Sequence, residues 1–79
     1  MKYVTKEEKV WLKKFQSKAK ARMKELDINL TRVVKLSGLP YSTVYTMLNH
    51  QSIPSVTHVI KLAHALAMKP SELIDIDFA

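Results

Sequence analysis

The sequence predicts an all-α domain of five helices, and three kinds of observation predict it. Apolar residues recur at helical rather than alternating spacing. Residues whose side-chain oxygens accept from free backbone N–H groups, Thr5, Asn29 and Ser55, stand just before those periodic stretches. Between the stretches lie the chain's only glycine, Gly38, and its three prolines, Pro40, Pro54 and Pro70, which interrupt or open helices.

The first helix is expected from Thr5 to about Leu26. Thr5-Lys6-Glu7-Glu8 fits a capping box, in which Glu8 reaches back to the Thr5 N–H. Trp11, Phe15, Ala19, Met23 and Leu26 form one apolar stripe, with Leu12 and Arg22 at its edges. Seven Lys/Arg and no acid lie between Lys9 and Lys24, a basic outer face of which a few charges are expected near a polyanion. Residues 1–4 read as a loose lead.

The second helix is expected over Leu30–Ser37, capped by Asn29, with Val33, Val34 and Leu36 as its apolar face. Gly38 stands where that helix must stop and supplies a positive φ without steric cost. Pro40 suits the first turn of a third helix running to Leu48, whose buried side is Val44 and Leu48 with Met47 beside them. A loop from Asn49 to Ser55 follows, then a fourth helix from Val56 to Ala67. Val59, Leu62, Ala63 and Leu66 face its core, with Ile60 partly turned inward. Pro70 opens a fifth helix that returns Leu73 and Ile74 to the core. Residues 75–79 alternate apolar and acidic and read as a short arm or a frayed tail.

Composition narrows the function. Seventy-nine residues hold one small core over residues 1–79, burying about 60–65% of the surface the unfolded chain exposes. Stability is then modest unless a partner adds buried area. Cysteine is absent, which leaves no disulfide framework or thiolate site. No apolar run approaches the roughly 20 residues of a membrane span. The net charge is +6, and no Asp or Glu lies between Ile28 and Ser71. A surface pressed against phosphates should lack carboxylates.

The helix–glycine–helix layout from Asn29 to Asn49 resembles the lambda-repressor/Cro-like (XRE) family, from about Leu12 to Ile74. The residues that carry the resemblance form two blocks. The first is Ile28-Asn29, Val33-Val34, Ser37-Gly38-Leu39, Tyr41 to Tyr45, and Leu48-Asn49. The second is Ile53 to Val56, Val59 to Leu66, and Pro70 to Ile74. The resemblance implies a compact five-helix helix-turn-helix domain whose first helix is extended. The added turns around Val10 and Trp11 have no obvious core partner in the minimal fold, and are expected against the C-terminal tail or a second subunit.

The resemblance also implies a double-stranded DNA-binding transcriptional regulator of bacterial or phage type, cytoplasmic, a repressor acting as a homodimer on an inverted repeat. The third helix would enter the major groove with Tyr41, Ser42, Thr43, Tyr45, Thr46 and Asn49, none of them charged. Ser and Thr hydroxyls donate or accept at base edges there. Thr31, Arg32, Gln51, Ser52 and Ser55 would hold phosphates, with Lys35 in reach.

Five positions depart from the family pattern. Leu30 stands where Gln is common, Pro40 where Ser or Thr is common, and His50 where Gly is common, so His50 or Asn49 is expected in a left-handed conformation. Met23 and Leu48 stand where relatives pair Arg with Glu, so apolar packing replaces an ion pair.

No catalytic, metal or cofactor site is expected. His50, His58 and His64 offer no i,i+4 pair, no acidic residue in the central span orients a His, and one glycine makes no phosphate loop. The rival reading is an antitoxin-like or adaptor module that grips a protein partner, a toxin or another regulator, through Tyr41, Tyr45 and the tail. RNA binding is a third.

Overall fold

A computed structural model describes residues 5–74. Within them the chain forms α1 (Lys6–Leu26), α2 (Leu30–Ser37), α3 (Tyr41–Asn49), α4 (Val56–Ala65) and α5 (Pro70–Ile74). The loose lead expected over residues 1–4 and the arm over 75–79 lie outside the described residues.

The helix starts follow local chemistry. Thr5 and Glu8 close the capping box: the Glu8 N–H donates to Thr5 Oγ1 at 3.1 Å, and the Thr5 N–H to Glu8 Oε1 at 2.9 Å. The Thr5 N–H, and less strongly the Thr5 hydroxyl, bond the Glu8 carboxylate and hold it below its ordinary pKa. Asn29 Oδ1 accepts from the Arg32 N–H at 2.9 Å, and Ser55 Oγ from the His58 N–H at 3.2 Å. Pro40 occupies the N-cap of α3 rather than its first turn and brings no side-chain cap.

The helix ends hold more surprises. Gly38 takes the left-handed conformation expected of it, at φ 72°. Among the described residues two that are not glycine do the same, Asp27 at φ 55° and Ala67 at φ 53°. Each terminates a helix by the same paired bonds. Ile28 N–H reaches Met23 O and Asp27 N–H reaches Lys24 O; likewise Met68 N–H reaches Ala63 O and Ala67 N–H reaches His64 O. α4 therefore stops at Ala65, two residues before the expected end. His50, by contrast, is extended at φ −106°, and neither it nor Asn49 is left-handed. The extended His50 lets its N–H bond Thr46 O without the turn a glycine would make.

The core gathers Leu12, Phe15 and Ala19 of α1 with Val33, Leu39, Val44, Met47, Leu48, Val59, Leu62, Ala63, Ala65, Leu66 and Leu73. α2 packs on α3 and α4, α4 on α5, and α1 on α3 and α5. Leu48 is buried and Met23 packs against the core from its edge, so the place of an ion pair is filled by apolar contact. Three expectations about the core are corrected. Leu36 is 40% exposed, Ile74 39%, and Ile60 is exposed as well. Each shares the helical period of its neighbours, but the core that the described residues form does not include it. Ser37 is the one buried polar residue among those described: its hydroxyl donates to Val34 O at 3.3 Å and accepts from the Leu39 N–H at 3.2 Å.

The added turns of α1 do have a partner inside the fold. Trp11 stacks on Phe15 with ring centroids 5.0 Å apart, and its indole N–H donates to Ile74 O at 3.1 Å. The link reaches the last residue of α5, while Val10 is exposed; the expected packing on the tail lies outside the described residues.

Candidate DNA interface

The outward face of α3 is built by helical spacing. Val44, Met47 and Leu48 are buried, so the residues between them must point away. Tyr41 is 54% exposed, Tyr45 is exposed, Ser42 and Asn49 are exposed, and Thr43 and Thr46 are half-buried. Tyr41 and Tyr45, one turn apart, stack at 6.3 Å, and Tyr45 meets the His50 ring edge-on at 5.6 Å. Tyr45 is therefore a surface residue and not part of the core.

Five of the expected site residues come together. Ser42, Thr43 and Thr46 on α3 and Ser52 and Ser55 on the following segment line one groove, closed by Met47, Ile53, Pro54 and His58. The groove carries hydroxyls on both walls, no carboxylate, and His58 as its one titratable side chain. Thr31 and Arg32 belong to a second depression, lined also by Asp27, Ile28, Asn29 and Lys35. Asp27 thus brings a carboxylate to the rim of a surface whose other charges are basic. It lies one residue before the acid-free span begins. Gln51 is exposed and lines neither surface.

Asn49 is engaged within the chain. Its Nδ2 donates to Tyr45 O at 3.1 Å, and its Oδ1 accepts from Lys20 Nζ at 3.1 Å. Ser55 Oγ is used as an acceptor by the α4 cap, which leaves its proton free to donate to an anion.

Sequence reasoning missed His58, which lines the groove from α4, and Gln16, whose Nε2 donates to Met47 O at 3.0 Å and to His50 O at 2.9 Å. His58 was visible as a polar residue one turn into a helix next to a serine cap. Gln16 gave no local signal, because its partners lie more than thirty residues away.

The arrangement is a short helix with an uncharged, hydroxyl-bearing face, preceded by a helix and a glycine turn. A family model for the Cro/C1-type helix-turn-helix DNA-binding domain matches residues 20–79. The chain belongs to that family. It is a DNA-binding regulatory domain of helix-turn-helix type, with α2 and α3 as the two helices of the motif. The match begins within α1, so the N-terminal part of that helix lies outside it. No curated protein and no solved structure matches the chain. Among the described residues no group of three or more His, Cys, Asp or Glu converges as metal ligands, and no helix is long and apolar enough to cross a membrane.

Proposed function

We propose that this Cro/C1-type protein is a cytoplasmic transcriptional repressor that binds double-stranded DNA through a single domain over residues 1–79. In this reading α3 enters the major groove, and Tyr41, Ser42, Thr43, Tyr45, Thr46 and Asn49 face the bases. Thr31, Arg32, Gln51, Ser52 and Ser55 hold phosphates. The carrying observation is the groove in which Ser42, Thr43 and Thr46 face Ser52 and Ser55 with no carboxylate. Hydroxyls suit both base edges and phosphate oxygens; α3 carries no Arg, Lys or Gln, and its one amide side chain, Asn49, is engaged by Tyr45 O and Lys20. Direct readout is then soft, and DNA shape and bridging water share the discrimination.

A small module of this kind binds weakly alone. Two copies on an inverted repeat, with half-sites roughly 34–36 Å apart, supply the missing affinity. Selection of bound sequences from a random duplex pool tests this. A palindromic winner whose affinity falls steeply with salt supports the reading; an asymmetric winner removes the dimer, and salt-independent binding removes the phosphate contacts.

One observation favours a second partner. Val56 at the start of α4 is 69% exposed and Ile60, one turn on, is exposed too. An antitoxin-like or adaptor role would use such a surface for a protein partner, and co-purification with a second chain from the native host would favour it.

A further inference from the structure

α1 does more than fill the core. From its surface Trp11 donates to Ile74 O at the end of α5, Arg22 to Leu66 O and Ala67 O at the end of α4, and Gln16 to Met47 O and His50 O at the end of α3. The last carbonyls of a helix have no partner within it, and α1 supplies donors to all three. Of these contacts only the one made by Gln16 touches the helix that faces DNA.

We propose that Gln16 is a positioning residue for DNA recognition. It fixes the C-terminal turn of α3 and the segment leaving it, and so holds the two walls of the Ser42–Ser55 groove in register. The proposal rests on α3 being the reading helix. One amide nitrogen has two protons, and both are used here, one on Met47 O inside α3 and one on His50 O just beyond it. The first fixes the helix and the second fixes the chain that continues to Ser52 and Ser55. Phe15 and Ala19, on either side of Gln16, are fully buried, so the backbone that carries the amide is anchored. Lys20, one turn on, adds a second brace through Asn49, which in turn holds Tyr45 O. Gln16 lies outside the residues that the family model matches. It is neutral, so it adds nothing to the Coulomb attraction for phosphate, and its loss should weigh more on a selected duplex than on a scrambled one.

The test compares Gln16→Met, which keeps the length and loses both donors, with Trp11→Phe, which removes the α5 contact and keeps the stacked ring. Each is titrated against the selected duplex and against a scrambled one, at a temperature where circular dichroism shows full folding. For Gln16→Met the ratio of selected to scrambled affinity should fall by about tenfold, a loss of the size that two hydrogen bonds can account for. Scrambled binding should fall less than selected binding, through the Ser52 and Ser55 contacts, and the salt slope, set by charged groups, should stay as in the wild type. Trp11→Phe should melt earlier and keep the ratio. Should Gln16→Met not fold, Gln16→Asn, whose amide is one methylene too short, carries the same expectation. An unchanged ratio in the folded Gln16 variant overturns the proposal while leaving DNA binding intact. A wild type that prefers no duplex overturns the reading of α3, and the proposal with it.

Discussion

Arg22 donates through Nε to the Leu66 carbonyl at 3.0 Å, tying the C-terminal part of α1 to the C-cap residue of α4. Its Nη2 also reaches Ala67 O at 3.3 Å, beside a residue held at φ 53°. An alanine in the left-handed region costs roughly 1–2 kcal/mol, and the arginine is among the contacts that hold it there. Arg22→Met removes charge-assisted bonds to two carbonyls. It should lower stability by about 1–2 kcal/mol, the low end because the side chain is partly exposed. Urea denaturation at constant m-value measures it.

Ala67→Gly should act in the opposite direction. Glycine relieves the left-handed strain but adds about 0.4–1 kcal/mol of unfolded-state entropy, which leaves a net gain of roughly 0.5–1 kcal/mol. A rise in the thermal midpoint with unchanged DNA affinity is the expected result. A fall would mean that the Ala67 methyl contributes packing that outweighs the strain.

Ser37→Ala should destabilise the turn between α2 and α3. The hydroxyl accepts from the buried Leu39 N–H, and removing it leaves a buried donor without a partner at a cost of about 1–3 kcal/mol. Because the turn sets α3 against α2, amide exchange at Leu39 and Tyr41 should accelerate more than exchange in α4.

Acid should unpick the start of α1. The Glu8 carboxyl titrates below its ordinary value in the folded chain because the Thr5 N–H and hydroxyl bond its ionised form. Between the folded and unfolded values the unfolded chain binds more protons, so stability rises with pH. The contribution is complete above the ordinary glutamate range, near pH 4.3, and is lost as pH falls through the lowered folded value. The stability gap between wild type and Glu8→Gln should close over that interval; a gap that widens in acid would contradict the capping geometry.

Arg32→Ala should weaken binding to every duplex alike and flatten the salt slope by about one phosphate. Arg32 is exposed beside Thr31 and Lys35, with Asp27 on the same rim. Asp27→Asn should then strengthen binding modestly and without sequence preference, measured by the same titrations.

What could be read from the sequence was local. Thr5 with Glu8, Asn29 with Arg32 and Ser55 with His58 are pairs three residues apart, so the helix starts needed no knowledge of the fold. Gly38 marked its own left-handed turn. Ala67 did not, because alanine rarely enters the left-handed region, and Asp27, of a type that enters it more readily, had no glycine or proline beside it to mark a stop; both conformations are closed by bonds back into the preceding helix. The apolar stripes were legible in phase but not in width: Leu36, Ile60 and Ile74 share the helical period of their neighbours yet stay exposed, since width depends on what packs against each helix. On the site, spacing placed Ser42 and Thr46 outward. It could not bring Ser52 and Ser55 opposite them, nor join Gln16 to Met47, since those relationships exist only once α1, α3 and the following segment are packed.

The central claim is that the uncharged face of α3 reads base edges. Repeating the random-duplex selection with Ser42→Ala combined with Thr46→Ala tests it most directly. The account predicts a changed base preference at matching positions in both half-sites, with the salt dependence of binding retained. Recovery of the wild-type sequence at wild-type affinity would contradict it.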